Sequence, residues 1–277
     1  MNIFLNEIPL QIEPGLSLFA LRERVKAAAD IMIVNGCPAH QDMELREGDH
    51  VTLIMRGEQP TASELQSLMM ARHTPGVHNR VKNSCVGIAG AGGLGSHVAI
   101  ALARVGVGQL NIADFDVVEP SNLNRQQYFI DQIGIPKVTA LRENLKRINP
   151  YTRVVTFNEK VTPQNITKLF GSVDILVEAF DAADQKAMLV QHFLQQCPHK
   201  PIVAASGMAG YGPSNSIRTR RVSRHFFLCG DGVTAAGPGY GLMAPRVGIA
   251  AHHQANTVLR LLLNEQPESG YDDETDD

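Results

Sequence analysis

The stretch CVGIAGAGGLG at residues 85–95 decides the fold of the larger part of this chain. Its first five residues form a short apolar run typical of a buried strand, and residues 96–105 have a helical composition. The glycines Gly90, Gly92 and Gly95 therefore form a G-x-G-x-x-G motif between a strand and a helix, the context that a nucleotide-binding loop requires. Gly90 permits the tight turn, Gly92 lets backbone approach a phosphate, and Gly95 allows helix and strand to pack closely. Most chains with this motif alone bind NAD or FAD.

The next strand extends the nucleotide-site prediction. Residues 109–113 form a second apolar run, which places Asp114 at the carboxyl end of a strand. An acidic residue at this position accepts hydrogen bonds from ribose hydroxyls. Asp116 is better interpreted as a turn or capping residue. These observations alone are also consistent with an NAD dehydrogenase.

The segment DFDVVEPSNLNRQ at residues 114–126 is not typical of a dehydrogenase. Together with GGLG at 92–95, GIPK at 134–137 and INP at 148–150, it resembles the ubiquitin-activating superfamily, specifically its ThiF and MoeB branch. The resemblance covers about residues 80–262. It implies a doubly wound α/β fold with a mostly parallel sheet, and adenylation of a carboxylate with ATP.

This resemblance implies particular roles for charged residues. Arg125 would hold the triphosphate, Lys137 would stabilise charge on the α-phosphate and the departing pyrophosphate, and Asp181 would coordinate ATP-bound Mg²⁺. Asp184 is a rival metal ligand, or else it caps the following helix. The residues expected to bind ATP are Gly90, Gly92, Gly93, Gly95, Asp114, Ser121, Asn122, Arg125, Lys137 and Asp181.

The first part of the chain has the order hairpin, helix, strand and final strand, which is that of a β-grasp or ubiquitin-like fold. Ser17 is the predicted N-cap of the helix. Residues 1–55 resemble ThiS, the sulfur carrier of thiamine synthesis. A working carrier ends in Gly-Gly with a free carboxylate, whereas here residues 55–60, MRGEQP, run on into more chain. The domain is interpreted as a fused relic or docking module, with a carrier released by processing as the alternative.

The predicted domain limits follow from these two resemblances. A ThiS-like domain spans 1–58, a connecting helix or linker spans 59–82, the adenylation domain spans 83–265, and an acidic tail spans 266–277. Thr61 and Glu64 have the spacing of a capping box, which predicts a connecting helix over about 61–72.

The four cysteines lie far apart with no C-x-x-C pair, so we expect neither a disulfide framework nor a structural zinc site. Some ThiF proteins use a cysteine to receive the activated carrier. Cys229 is the candidate nucleophile, with a small buried apolar residue as the alternative. Related enzymes also bring an upstream arginine to the phosphates, and Arg72 is the nearest candidate, followed by Arg80.

Composition limits the class of protein. The 277 residues are 44% hydrophobic and 19% charged, with a formal net charge of -3. A sizeable core can form, and nucleic acid is not expected as the main partner because that would favour a basic surface. No stretch is long and apolar enough to span a membrane, and the N-terminus lacks the features of a signal peptide, so we expect a cytoplasmic protein.

The sequence therefore predicts an adenylyltransferase that activates the C-terminal carboxylate of a separate ThiS-like carrier ending in Gly-Gly. The fused ThiS-like segment favours the thiazole of thiamine. A sulfur-transfer enzyme is a further expected partner, and relatives imply a homodimer. The alternatives are a dehydratase that adenylates a modified tRNA base, and a non-catalytic nucleotide-binding scaffold.

Overall fold

The structure is a computed structural model that describes residues 1–73 and 75–265, with positions 71, 72 and 75 described by their backbone alone. The chain divides into two compact units, Met1–His78 and the part from Asn79 onward, called unit 1 and unit 2 below. The predicted acidic tail at 266–277 lies outside the described residues.

Unit 1 is a five-stranded sheet with one helix packed on it. Its strands run in the order β2-β1-β5-β3-β4, and the two long-range neighbours β1 and β5 are parallel. Leu18 and Leu21 of the helix enter the same core as Ile3, Val51 and Leu53 of the sheet. The predicted β-grasp fold is therefore confirmed. The elements are β1 (Asn2–Leu5), β2 (Ile8–Gln11), α1 (Leu18–Lys26), β3 (Ile31–Val34), β4 (Cys37–Pro38), β5 (His50–Ile54) and α2 (Ala62–His73).

Local signals of the sequence account for the turns and caps of unit 1. The β1–β2 hairpin turns at Asn6 and Glu7, which both adopt positive φ. The hydroxyl of Ser17 accepts a hydrogen bond from the Ala20 N–H at 3.3 Å and caps α1. Thr61 and Glu64 exchange hydrogen bonds of 2.8 and 3.3 Å, so the capping box before α2 is present.

A second helix follows α2 that the sequence did not predict. The sequence predicts a connecting helix that ends near residue 72, but a further helix, α3 (Pro75–Lys82), begins shortly after it. Proline is tolerated in the first turn of a helix because the N–H that it lacks has no intrahelical partner at that position. The division between the two units falls within α3, and the predicted limits of the linker stay a prediction.

Unit 2 is built on a seven-stranded sheet in the order β11-β12-β10-β9-β6-β7-β8. Every neighbouring pair is parallel except the edge pair β11–β12. The predicted doubly wound, mostly parallel fold is therefore confirmed. The elements are β6 (Cys85–Ala89), α4 (Gly93–Arg104), β7 (Gln109–Ala113), α5 (Lys137–Ile148), β8 (Arg153–Phe157), α6 (Ile166–Phe170), β9 (Ile175–Glu178), α7 (Ala183–Gln196), β10 (Ile202–Ala205), β11 (Arg218–Ser223), β12 (Phe226–Gly230) and α8 (Ala244–Leu262).

The strand order positions a crevice. The chain passes from β6 outward through β7 to β8 and then returns to place β9 on the other side of β6. Connections leave the carboxyl ends of β6 and β9 in opposite directions, so a crevice opens there, as in other open α/β sheets. This is where a ligand is expected.

A hydrogen bond joins the first and last helices of the part of unit 2 that the structure describes. The guanidinium of Arg80 in α3 donates to the carbonyl oxygen of Leu263, just after α8, at 2.6 Å. This cation also faces the negative end of the α8 dipole, which is a favourable arrangement. Among the residues that the structure describes, none belongs to a helix long and apolar enough to cross a membrane.

Candidate functional site: a cleft at the carboxyl ends of the central strands

The loop between β6 and α4 requires glycine at two positions for different reasons. Gly90 adopts a φ of +99°, and a Cβ there would lie 2.7 Å from the carbonyl oxygen of Ala179. A Cβ on Gly95 would lie 1.9 Å from the carbonyl oxygen of Gly90. The loop therefore stays tight against β9, and α4 begins at Gly93 with the N–H groups of its first turn at the crevice.

Asp114 fixes the glycine loop from the end of β7. Its carboxylate accepts hydrogen bonds from the Ala91 N–H at 2.6 Å and from the Asp116 N–H at 2.8 Å. Burial raises the pKa of Asp114, and the two N–H groups and Lys137 act against this rise. The Tyr128 hydroxyl donates to the carbonyl oxygen of Ala91 at 2.6 Å and supports the same loop from behind.

Lys137 is the first residue of α5, and its side chain is almost fully buried. Its ammonium lies 2.8 Å from the carboxylate of Asp116, whose side chain is about half exposed. The Lys137 N–H also donates to the carbonyl oxygen of Asp116. Asp116 is thus the positioning partner of Lys137, a relation that the sequence did not show, because the two residues are far apart in the chain.

Arg125 is held by neutral acceptors. Its Nη1 donates to the Ser121 carbonyl oxygen at 3.1 Å and to the Asn124 side chain at 2.8 Å. Within the described residues it forms no salt bridge, so its positive charge is not neutralised by a carboxylate. The structure places Ser121 and Asn122 beside Arg125 and outside the lining of the crevice. Asn122 is buried and closes a short turn by accepting from the Glu119 N–H at 3.2 Å.

Two carboxylates lie at the mouth of the crevice after β9. Asp181 and Asp184 are both exposed and both line it. Ala182, and not Asp184, is the N-cap residue of α7, while Asp184 lies in its first turn. Within residues 1–73 and 75–265, no cluster of three or more His, Cys, Asp and Glu side chains is arranged to hold a metal ion.

Glu178 and Lys186 form an ion pair at the base of the crevice that the sequence did not predict. Glu178 ends β9 and is completely buried, and the Lys186 ammonium lies 3.0 Å from both of its carboxylate oxygens. The Phe180 N–H donates to the same carboxylate at 2.7 Å. Burial raises the pKa of Glu178, and Lys186 opposes this rise.

These side chains meet in one cleft of about 790 Å³. The glycine loop, Asp114, Arg125, Lys137 and Asp181 all line it, as do Asp116 and Lys186. The far wall comes from residues 206–209 and 234–236. A pocket of this size suits a nucleotide-sized ligand.

A buried ion pair holds the far wall. Arg246, at the start of α8, lies 2.6 Å from Asp231 and also donates to the carbonyl oxygens of Gly212 and Pro213 at 3.0 Å. Burial raises the pKa of Asp231, but hydrogen bonds from Thr234, Val233 and Arg246 hold this pKa well below its usual range. The pair therefore ties the glycine-rich segment to a helix that is part of the core.

The remaining candidates from the sequence lie elsewhere. Cys229 is fully buried within β12, near the hydroxyls of Thr219 and Thr257. A nucleophilic thiolate needs to be exposed to its substrate, and this position is fully buried. Arg80 is engaged at the end of α8 and does not line the cleft. The side chain of Arg72 lies outside the described part of the chain.

The fold and the cleft define an α/β protein with a glycine loop of the kind that binds nucleotides. Residues 65–273 match the ThiF family, and residues 1–57 match the ThiS-like ubiquitin family. The chain belongs to the ThiF family and carries an N-terminal ThiS-like ubiquitin domain. The resemblance found in the sequence is therefore confirmed.

Curated relatives include three adenylyltransferases. The molybdopterin-synthase adenylyltransferase of Haemophilus influenzae is 34% identical over 195 residues, which cover 66% of this chain and 76% of that protein. The adenylyltransferase and sulfurtransferase UBA4 of Saccharomyces cerevisiae is 29% identical over 70% of this chain and 46% of UBA4. The probable adenylyltransferase/sulfurtransferase MoeZ of Mycobacterium tuberculosis is 39% identical over 37% of this chain, and the match spans only 26% of MoeZ.

Solved structures show the same architecture. The Escherichia coli tRNA N6-threonylcarbamoyladenosine dehydratase in complex with ATP superposes with a TM-score of 0.66 at 20% identity, covering 75% of this chain and 98% of that one. At this level of identity the likeness concerns the fold.

Proposed function

We propose that this protein adenylates the C-terminal carboxylate of a sulfur-carrier protein with ATP. The observation that carries the proposal is that Arg125 and Lys137, twelve positions apart, both line one cleft with the glycine loop. Two cations beside a loop of backbone N–H groups suit a triphosphate. A dinucleotide-dependent dehydrogenase has no need of this pair.

In the proposed reaction a carboxylate oxygen of the carrier attacks the α-phosphorus of ATP. A bond forms between that oxygen and phosphorus, the bond to the β-phosphate oxygen breaks, and pyrophosphate leaves. Negative charge therefore moves toward the leaving group. Lys137, held in place by Asp116, would stabilise this charge, and Arg125 would bind the outer phosphates, while Asp114 would accept hydrogen bonds from the ribose.

The residues present fit a magnesium ion that arrives with ATP. Mg²⁺ is usually held by one or two carboxylates together with substrate phosphates. Asp181 fits this role because it lines the cleft and, within the described residues, its carboxylate accepts no hydrogen bond. When bound, the ion would neutralise phosphate charge and orient the leaving group. Ser121 and Asn122 would support Arg125 from behind.

The carrier is proposed to be ThiS-like and to serve thiamine synthesis, because unit 1 matches the ThiS-like ubiquitin family. The match to a molybdopterin-synthase adenylyltransferase favours a second candidate, a carrier of molybdopterin synthesis. A homodimer, a sulfur-transfer partner and a cytoplasmic location stay predictions of the sequence.

The test is ATP–pyrophosphate exchange. The full chain would be incubated with ATP, Mg²⁺, labelled pyrophosphate and either a ThiS carrier or the molybdopterin carrier, each ending in Gly-Gly. We expect label to enter ATP only with a carrier, and fastest with ThiS. Exchange with neither carrier would overturn the proposal, and faster exchange with the molybdopterin carrier would overturn the assignment to thiamine.

Matched lysine variants separate cleft chemistry from general effects of charge. Lys137→Ala is expected to lower exchange at least 100-fold, in the range seen when one electrostatic contact to a transition state is removed. Lys146→Ala changes an exposed lysine on the same helix outside the cleft and should stay within about twofold of the wild type. Equal losses in both variants would contradict the assignment of Lys137.

A further inference from the structure

Positive charge is densest in one part of the chain. Between residues 206 and 265 the sequence contains six arginines, no lysine and only two acidic residues, Asp231 and Glu265. Asp231 is neutralised by Arg246. The first 58 residues, by contrast, contain nine acidic and five basic residues. The ThiS-like fold in this chain is therefore acidic, while the last quarter of the described chain is basic.

Four of the six arginines lie on or next to the edge strand β11. Arg218, Arg220, Arg221 and Arg224 are all exposed, and this set is called the arginine strip below. Within the described residues, Arg218, Arg220 and Arg224 take part in no salt bridge. The positive charge of the strip also affects His225. The pKa of His225 is lowered by burial, and then by the charges of Arg224, His199 and Arg221.

The arginine strip begins at the end of the sheet at which the cleft opens, the end formed by the carboxyl ends of the parallel strands. Arg218 pairs with Gly230 at the carboxyl end of β12, and Arg224 lies at the opposite end of the sheet. The guanidinium of Arg220 covers Gly232, where a Cβ would lie 2.5 Å from its Nη2. The turn that contains Gly232 leads directly to the cleft wall at residues 234–236.

The distance from this strip to the nucleotide loop suits an extended peptide tail. Four strand spacings separate β11 from β6, and at about 4.8 Å each they span about 19 Å. An extended chain covers about 3.4 Å per residue, so about six residues bridge this gap. A carrier bound at the edge of the sheet could thus deliver its terminal carboxylate to the cleft.

We infer that the arginine strip is the docking surface for the acidic face of the carrier. This inference rests on the proposed function and adds the surface and the charge of the partner. Electrostatic complementarity of this kind speeds encounter and fixes orientation, and it weakens with salt. The occupant is a separate β-grasp carrier with net negative charge. Two other roles of the strip would contradict this inference. Its charges would serve only to keep the edge strand from aggregating, or they would bind RNA.

The experiment compares two charge reversals in the exchange assay, at 50 and 300 mM salt. In the first, Arg218→Glu is combined with Arg220→Glu. In the matched control, Arg142→Glu is combined with Arg153→Glu, which reverses two exposed arginines on α5 and on the opposite edge strand β8. At low salt we expect the first variant to raise the KM for ThiS at least tenfold, with the KM for ATP and the rate at saturating ThiS within twofold. The control should stay within twofold throughout, and the wild type should lose affinity for ThiS as salt rises.

Three further measurements make each outcome decisive. Thermal unfolding verifies that the first variant is folded, and Arg218→Lys with Arg220→Lys, which keeps both charges, should retain a KM within about threefold. An unchanged KM for ThiS in the first variant, with normal exchange in the wild type, would mean that the strip serves edge protection only. If the first variant loses tRNA binding in a gel-shift assay but keeps the KM for ThiS, the strip binds RNA and not the carrier. Absence of exchange in the wild type would instead refute the proposed function itself.

Discussion

The ion pair between Lys186 and Glu178 allows a quantitative test of the structure. Glu178 is completely buried, and Lys186 is 21% exposed. Removing one partner of a buried pair costs about 3–5 kcal/mol, because the other charge stays buried without compensation. Since Lys186 is partly exposed and the Phe180 N–H still donates to Glu178, the lower end applies. We expect Lys186→Met to lower the free energy of unfolding of unit 2 by about 3 kcal/mol at pH 8.

The loss of stability in the Lys186→Met variant should depend on pH in a defined direction. Burial already raises the pKa of Glu178, and removing Lys186 raises it further. A carboxyl group whose pKa is higher in the folded state stabilises the protein below its unfolded pKa, and this contribution is lost as pH rises through the folded pKa. The variant should therefore be closest to the wild type near pH 5 and least stable near pH 8.

The assay is urea unfolding followed by circular dichroism, using the transition that shifts when ATP is added, since unit 2 contains the cleft. Lys168→Met is the matched control, because Lys168 lies 3.1 Å from Glu159 but in an exposed pair, and it should cost less than about 1 kcal/mol. Glu178→Gln combined with Lys186→Met should recover at least half of the loss. A loss below about 1 kcal/mol for Lys186→Met, or an equal loss at pH 5 and pH 8, would refute the reasoning.

Three further predictions concern single positions. Gly95→Ala would place a Cβ 1.9 Å from the Gly90 carbonyl oxygen and should weaken ATP binding at least tenfold by calorimetry, whereas Gly241→Ala, with open space around it, should not. Burial, and then His252, lower the pKa of His97 to about 4. The contribution of His97 to the stability of unit 2 should therefore fall by about 3 kcal/mol as pH drops from 6.5 to 4, and His97→Gln should lose correspondingly less stability than the wild type over this range in urea titrations. Cys229→Ala should keep at least half of the exchange activity, and the wild type should form no covalent adduct with the carrier on a non-reducing gel, since the thiol is buried; an adduct that Cys229→Ala abolishes would restore the nucleophile.

The sequence predicted the fold because its strongest signals are local. The apolar run before Gly90, the glycine spacing and the N-cap at Ser17 each act over a few residues, and the structure contains each element. The helix that begins at Pro75 was missed for a related reason, since proline is compatible with both a loop and a first helical turn.

The candidate site was predictable only in part. Arg125, Lys137 and Asp181 were found by resemblance, and they line one cleft. Asp116 was missed because its partner Lys137 lies 21 residues away in the chain. Lys186 was missed because its partner Glu178 ends the strand before the Lys186 helix, and the spacing of the two residues does not show that their side chains meet. Glu178 ends an otherwise apolar strand, and a carboxyl group in that position is the one signal from which a buried cationic partner could be inferred.

The hydrogen bond between Arg80 and Leu263 has a consequence for engineering. It brings the first helix of unit 2 beside the residue where its last helix stops. In unit 2 taken by itself, a short peptide could therefore join these two positions while new termini are opened in an exposed loop. Such a circular permutant would leave the strands that form the cleft uninterrupted. The position chosen for the new termini would set the order in which these strands are synthesised.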